Sequence, residues 1–145
     1  MYRDTITLFN RKPGGASGDT WYPTIIENVD LNIDRAAILA KYGAESQDNA
    51  VLHIRYTKDG ENVMIAGKPW MSPKEWDQTE DAITFTGGTQ FDFFWMGEWD
   101  KGIVTDAEYM DEGFYNFMNR THDYVFAVTS VAMYSVIPHF EIMGK

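Results

Sequence analysis

The sequence predicts a mainly β fold, a small barrel or sandwich, with one α-helix in the C-terminal half at about residues 105–120. Three observations carry this expectation. Short apolar–polar alternating runs recur along the chain, separated by turns rich in Gly, Pro, Asn and Asp, as strands require. Aromatic residues make up 15% of the 145 residues, a level suited to β-rich domains and contact surfaces. One stretch, beginning at Thr105, joins a capping sequence to apolar residues at helical spacing.

The elements follow in order. Thr5-Ile6-Thr7-Leu8-Phe9 alternates as a half-buried strand, and Trp21 to Val29 reads as its hairpin partner. Between them, Lys12 to Asp19 is a Gly-rich connection. No Gly-Lys-Ser/Thr follows its glycines, so it is not a phosphate loop. Asp34 to Tyr42 suits either a short helix capped by Asp34 or an extended run, and Gly43 to Asn49 is a polar turn.

Val51 to Tyr56 alternates again, with Asp59-Gly60 as a hairpin turn leading to Val63-Met64-Ile65. Ser72-Pro73-Lys74-Glu75-Trp76 reads as a helical turn, with Ser72 as cap, Pro73 in first position and Glu75 three residues after the cap. Ile83 to Thr86 and Phe91 to Trp95 flank Gly87-Gly88 as a further hairpin. The Thr105-Asp106-Ala107-Glu108 capping box opens the main helix, with Met110, Phe114, Phe117 and Met118 on one face. Tyr124 to Val136 and His139 to Met143 are the last strands, separated by Pro138. With neither linker nor repeat, residues 1–145 read as a single β-rich domain.

Composition narrows the function classes. A formal charge of -10 opposes a nucleic-acid grip, which needs clustered Lys and Arg, and the basic residues here are scattered. Cysteine is absent, which removes disulfides, zinc thiolates and cysteine catalysis. No apolar run is long enough for a transmembrane helix, and MYRDTITLFNR reads as a strand, without a signal peptide's apolar run. These features fit a cytosolic origin without membrane contact.

No catalytic, metal or cofactor-binding set is expected. The three histidines are dispersed in sequence, and adjacent His122 and Asp123 point apart. Glu98 and Asp100 read as a solvated turn. The Asn119-Arg120-Thr121 sequon is a chance match. The protein is therefore not expected to be an enzyme.

The aromatic residues admit three readings, in descending weight: core packing, subunit contact, and a stacking platform for sugars. Trp70, Trp76, Phe93, Trp95 and Trp99 are the candidate anchors or subunit contacts. Phe91, Phe93 and Trp95 share one strand face and Asp92 and Phe94 the other, so both faces are expected to be covered. Trp76 is expected to be buried by its directed turn.

Tyr2-Arg3-Asp4-Thr5-Ile6-Thr7-Leu8-Phe9-Asn10-Arg11, the Gly-rich gap and Asp19-Thr20-Trp21-Tyr22-Pro23-Thr24-Ile25-Ile26 resemble small bacteriophage minor structural proteins. So do Asp48-Asn49-Ala50-Val51-Leu52-His53-Ile54 and Gly67-Lys68-Pro69-Trp70-Met71-Ser72-Pro73-Lys74-Glu75-Trp76. These minor capsid proteins are similar to head-closure (stopper) head–tail connectors of long-tailed phages. The resemblance covers about the first two thirds of the chain and is looser from Thr105 onward.

It implies a β-barrel subunit of a ring in the virion neck, assembled in the host bacterial cytoplasm. Its partners would be neighbouring copies of itself, the portal or adaptor above and a tail-completion or tail protein below. DNA would pass an acidic lumen without tight binding. The Lys12–Asp19 connection is the candidate for ordering on assembly. The competing reading is an aromatic-rich small-ligand or glycan-binding module of a virion.

Overall fold

A computed structural model describes residues 2–14, 18–33, 50–76 and 81–145. Six strands close into an antiparallel barrel, as the alternating patterns anticipate. They are β1 (Asp4–Lys12), β2 (Thr20–Ile33), β3 (Ala50–Arg55), β7 (Phe93–Trp95), β9 (Val125–Tyr134) and β10 (His139–Gly144). Around the barrel the order is β1-β7-β9-β10-β3-β2, and β2 returns to pair with β1.

Two long strands make the closure possible by changing partners along their length. The first part of β2 pairs with β1, from Lys12↔Thr20 to Asp4↔Val29, and Asp30–Ile33 then pair with β3. The switch falls at a bulge, where three steps on β2 answer two on β1 and Asn28 takes φ 58. Similarly, β9 pairs with β7 over Val125–Ala127 and with β10 from Val128 to Tyr134.

Alternation along the strands sends side chains to two separate cores. Leu8, Leu52, Ile54, Phe94, Phe126 and Phe140 point inward and form the barrel's own cluster. Phe9, Trp21, Phe93 and Val125 point outward into a second cluster, covered by Trp99 and by the helix α2 (Phe114–Thr121) through Phe114 and Met118. Both faces of β7 are thus covered, as its alternation predicts. Thr7, also outward, takes the Trp99 backbone N–H on its hydroxyl at 3.0 Å, while that hydroxyl donates to the Gly97 carbonyl at 2.8 Å.

Between β3 and β7 the chain leaves the barrel. It builds a three-stranded sheet of β4 (Thr57–Asp59), β5 (Asn62–Ile65) and β6 (Lys68–Pro69), then a helical turn α1 (Pro73–Trp76). Val63, Ile65, Ile83 and Phe85 from this excursion join the inner cluster. A closed barrel can be reached only through its ends, so the excursion covers one of them. In α1, Ser72 Oγ donates to Glu75 Oε1 at 2.8 Å, and the Trp76 N–H reaches the Ser72 carbonyl at 2.9 Å. The expected helical turn is therefore formed, and Ser72 and Glu75 meet through their side chains.

Three local expectations are corrected. The strand facing β5 is Thr57–Asp59, because the chain departs the barrel at Tyr56, although the Asp59-Gly60 turn stands. Ile83–Thr86 is not a ladder strand, since Ile83 makes only an isolated bridge to Trp70. The Asp92 carboxylate takes the Thr86 N–H at 2.8 Å, so a side chain replaces much of the expected hairpin ladder.

The helix expected at about 105–120 is present, but its α-helical part is confined to Phe114–Thr121, after a 3-10 turn at Asp106–Tyr109. Thr105 is extended and pairs in β8 (Val104–Thr105) with β2, so its hydroxyl does not cap. Gly113, at φ 80, divides the two pieces. Asp34–Tyr42, the turn at Gly43–Asn49 and residues 15–17 of the Gly-rich connection lie outside the described residues.

Candidate functional site

Most of the candidate anchors are used within the fold. Phe93 is fully buried and stacks on Phe9, and Trp99 is nearly buried and meets Phe9 at a T-shaped 75°. Trp76 is 5% exposed, as its capped turn predicts, and its indole N–H donates to the Ala82 carbonyl at 2.8 Å. Trp70 is half-buried against Phe140, and Trp95 half-buried against the edge of His122. Of the four candidate tryptophans, Trp95 and Trp99 pack on the outer cluster and Trp70 on the inner one, and each rests on other side chains of the fold. His122 packs on Trp95 and Phe117, and Glu98 and Asp100 are exposed on either side of buried Trp99.

The buried polar groups hold the barrel wall. Asp92 Oδ1 accepts the Arg11 N–H at 2.8 Å, and Oδ2 accepts the Asn10 amide at 3.0 Å as well as the Thr86 N–H. Burial pushes the Asp92 carboxyl up to about 7, against the pull of these donors and of the Arg11 charge. Arg11 itself lies between the rings of Trp21 and Phe91, at 4.5 and 4.4 Å, and pairs with Asp19 at 3.4 Å. It borders a cleft of about 300 Å³ with Asp106 and Tyr115. Its charge is already matched there, so the cleft offers little for an anion.

The tip of the β9–β10 hairpin is an exposed apolar surface, held from below by Tyr56, whose hydroxyl donates to the Tyr134 carbonyl at 3.0 Å and whose N–H donates to the Pro138 carbonyl at 3.3 Å. Residues 131–138 are all exposed, and the run is apolar: Val131, Met133 and Tyr134 on the strand, Val136 (96% exposed) and Ile137 (71%) in the turn. One side of β9 is held by β10. Gly87 lies against the Thr129 carbonyl, and beyond Thr129 no strand among the described residues pairs with the other side of β9. An apolar strand with an open edge is a template for another chain, and proteins usually blunt such an edge with charge or proline. Here β9 carries no charge from Val125 to Tyr134, and Pro138 lies beyond it in the turn.

The sequence reading missed this surface because Tyr124–Val136 alternates too weakly to distinguish a buried strand from a projecting one. Its signal was the neutral, apolar run Val131–Ile137 around a turn. The histidines are dispersed in sequence, whereas pairing of β3 with β10 sets His53 and His139 diagonally side by side, with ring centroids 5.6 Å apart and planes tilted by 32°.

No curated protein and no solved structure matches the chain. Residues 1–145 match DUF6751, a family of unknown function, and the chain belongs to that family.

Proposed function

We propose that the protein is a structural virion subunit that assembles with copies of itself into a ring of the phage neck, as a head–tail connector of the head-closure (stopper) type. The observation that carries this reading is the exposed, apolar tip of the β9–β10 hairpin, where β9 carries no charge and, among the described residues, its outer edge is unpaired by any strand. Such an edge favours a β-structured partner, and an identical subunit is one the assembly always supplies. The resemblance of the N-terminal two thirds to minor capsid and head-closure proteins supports the neck as the place. The portal or adaptor and a tail protein are then the neighbours above and below.

A net charge of -10 supports a further part of the reading, in which acidic side chains line the channel and DNA slides through without sticking. The competing glycan-binding reading needs a tryptophan platform, whereas Trp70, Trp76, Trp95 and Trp99 each rest on other side chains, and Trp76 and Trp99 are buried.

Electron microscopy of the virion with this chain labelled tests the proposal. Density for a ring between head and tail is the expected outcome. Label at the tail tip, with glycan binding by the purified chain, would overturn it. In a resolved ring, a lumen lined by Lys and Arg would remove the acidic-channel part alone.

A further inference from the structure

We infer that His53, His139 and Glu141 form a binding site for a divalent transition-metal ion of the zinc type, on the outer wall of the barrel beneath the β9–β10 hairpin. His139 and Glu141 are two residues apart on β10 and so share a face, and His53 on β3 stands directly opposite Glu141 in the register. Inward-pointing Phe140 lies between them, so all three face away from the core. Each is half-buried, and their donor atoms lie within 4.8 Å of one another. Tetrahedral zinc ligands at ordinary bond lengths stand about 3.4 Å apart, a closure that rotation of the His53 and Glu141 side chains supplies on strands already paired.

The surroundings prepare the ligands. His139 Nδ1 lies 2.7 Å from the Ile137 carbonyl, which can only accept, so Nδ1 carries the proton and Nε2 keeps the lone pair a metal needs. Tyr134 stacks on the His139 ring at 4.8 Å and 11°, fixing its plane. On the far side of His53 the register places Asp30, which adds negative charge to the same face. Arg55, opposite His139, has its guanidinium 3.8 Å from the centre of the Tyr2 ring. Two imidazoles and one carboxylate suit zinc, nickel or copper better than the oxygen-seeking calcium or magnesium. Three protein ligands leave a fourth position for water or for a group from another chain. A metal there would tie β3 to β10 at the foot of the hairpin, whatever that hairpin contacts.

Calorimetric titration of the untagged chain with Zn²⁺, paired with NMR of its imidazoles, tests the site. The expected result is one Zn²⁺ per chain, with the resonances of His53 and His139 shifting and that of His122 still. His53→Ala and Glu141→Gln should each weaken binding by at least the ~10–100-fold that loss of an outer partner costs a metal site. His122→Ala should bind as the parent does. The NMR readout needs no variant, so a misfolded substitution cannot obscure it. Absence of binding, or binding that shifts His122 and survives His53→Ala, would overturn the site.

Discussion

Trp21 donates its indole N–H to Asp106 Oδ1 at 2.7 Å, joining β2 to the segment before α2 across 85 positions of sequence. The same oxygen accepts the backbone N–H of Phe114 at 3.0 Å, so Asp106 does for α2 what the expected Thr105 cap does not. Two glycines make room for it. Gly18, at φ 79, would place a Cβ 2.9 Å from the Asp106 Cβ, and Gly113, at φ 80, would place one 3.5 Å from its Cγ. One carboxylate thus ties the hairpin, the outer aromatic cluster and the helix start together.

Asp106→Ala leaves the indole N–H and the first helical N–H without their acceptor. The expected loss is about 1–3 kcal/mol in urea unfolding, the usual penalty for a partly buried donor left unpaired. Gly18→Ala should also destabilise, since a Cβ there meets both a positive φ and the Asp106 side chain. A stability unchanged by both substitutions would separate Asp106 from the integrity of this wall.

Asp92 gives the fold a pH dependence of definite sign. Its folded carboxyl is raised from 3.8 to about 7, first by desolvation, so between those values the folded state holds a proton that the unfolded chain has released. The contribution from Asp92 is fully present below about pH 4 and is lost as pH rises through about 7. Asp92→Asn removes this titration. Its amide also turns an N–H₂ toward the Asn10 amide or a backbone N–H, in place of an acceptor. The variant should be less stable at pH 5 by about 1–3 kcal/mol and show a flatter profile from pH 5 to 8. Parallel profiles for parent and variant would mean that Asp92 does not titrate in this window.

The sequence carried the strands that alternate and the turns that glycine or a cap enforces. Thr5–Phe9, Val51–Ile54, the Asp59-Gly60 turn and the Ser72–Trp76 cap are local patterns, and local energetics decide them. What it did not carry is set by distant partners. Asp106 became a cap only because Trp21 and Gly113 arrive beside it, and Thr105 was claimed by a strand pair with β2. His53 and His139 read as isolated because 86 positions separate them, and strand register alone makes them neighbours. Likewise, the exposure of Val136 and Ile137 depends on where the barrel ends, which no local pattern encodes.

Trp76 and Trp95 should differ sharply under truncation. Trp76 is buried, holds Ala82 through its N–H, meets Tyr22 edge-on at 5.8 Å and carries Lys12 Nζ 5.1 Å from its ring. Trp95 is half-exposed, against the edge of His122. Trp76→Ala should cost about 3–5 kcal/mol, as removal of a buried large ring does, and Trp95→Ala clearly less. Equal losses in chemical denaturation would mean that the Pro73–Trp76 turn is not the stronger anchor.

The hairpin should separate stability from assembly. Val136 and Ile137 contribute little to the fold, since both lie in the exposed turn. The double substitution Val136→Asp, Ile137→Asp should leave stability within about 0.5 kcal/mol of the parent, as surface changes away from structural features do. If the hairpin is the contact between neighbouring copies, two charges there face desolvation without partners, and the variant should fail to enter particles although it is folded. On the proposed reading of the chain as a virion subunit, the measurement is complementation: parent or variant chain is supplied in trans to a phage lacking the gene, followed by counting of infectious, tailed particles. Normal particle yield from the folded double variant would show that the hairpin is not the assembly contact.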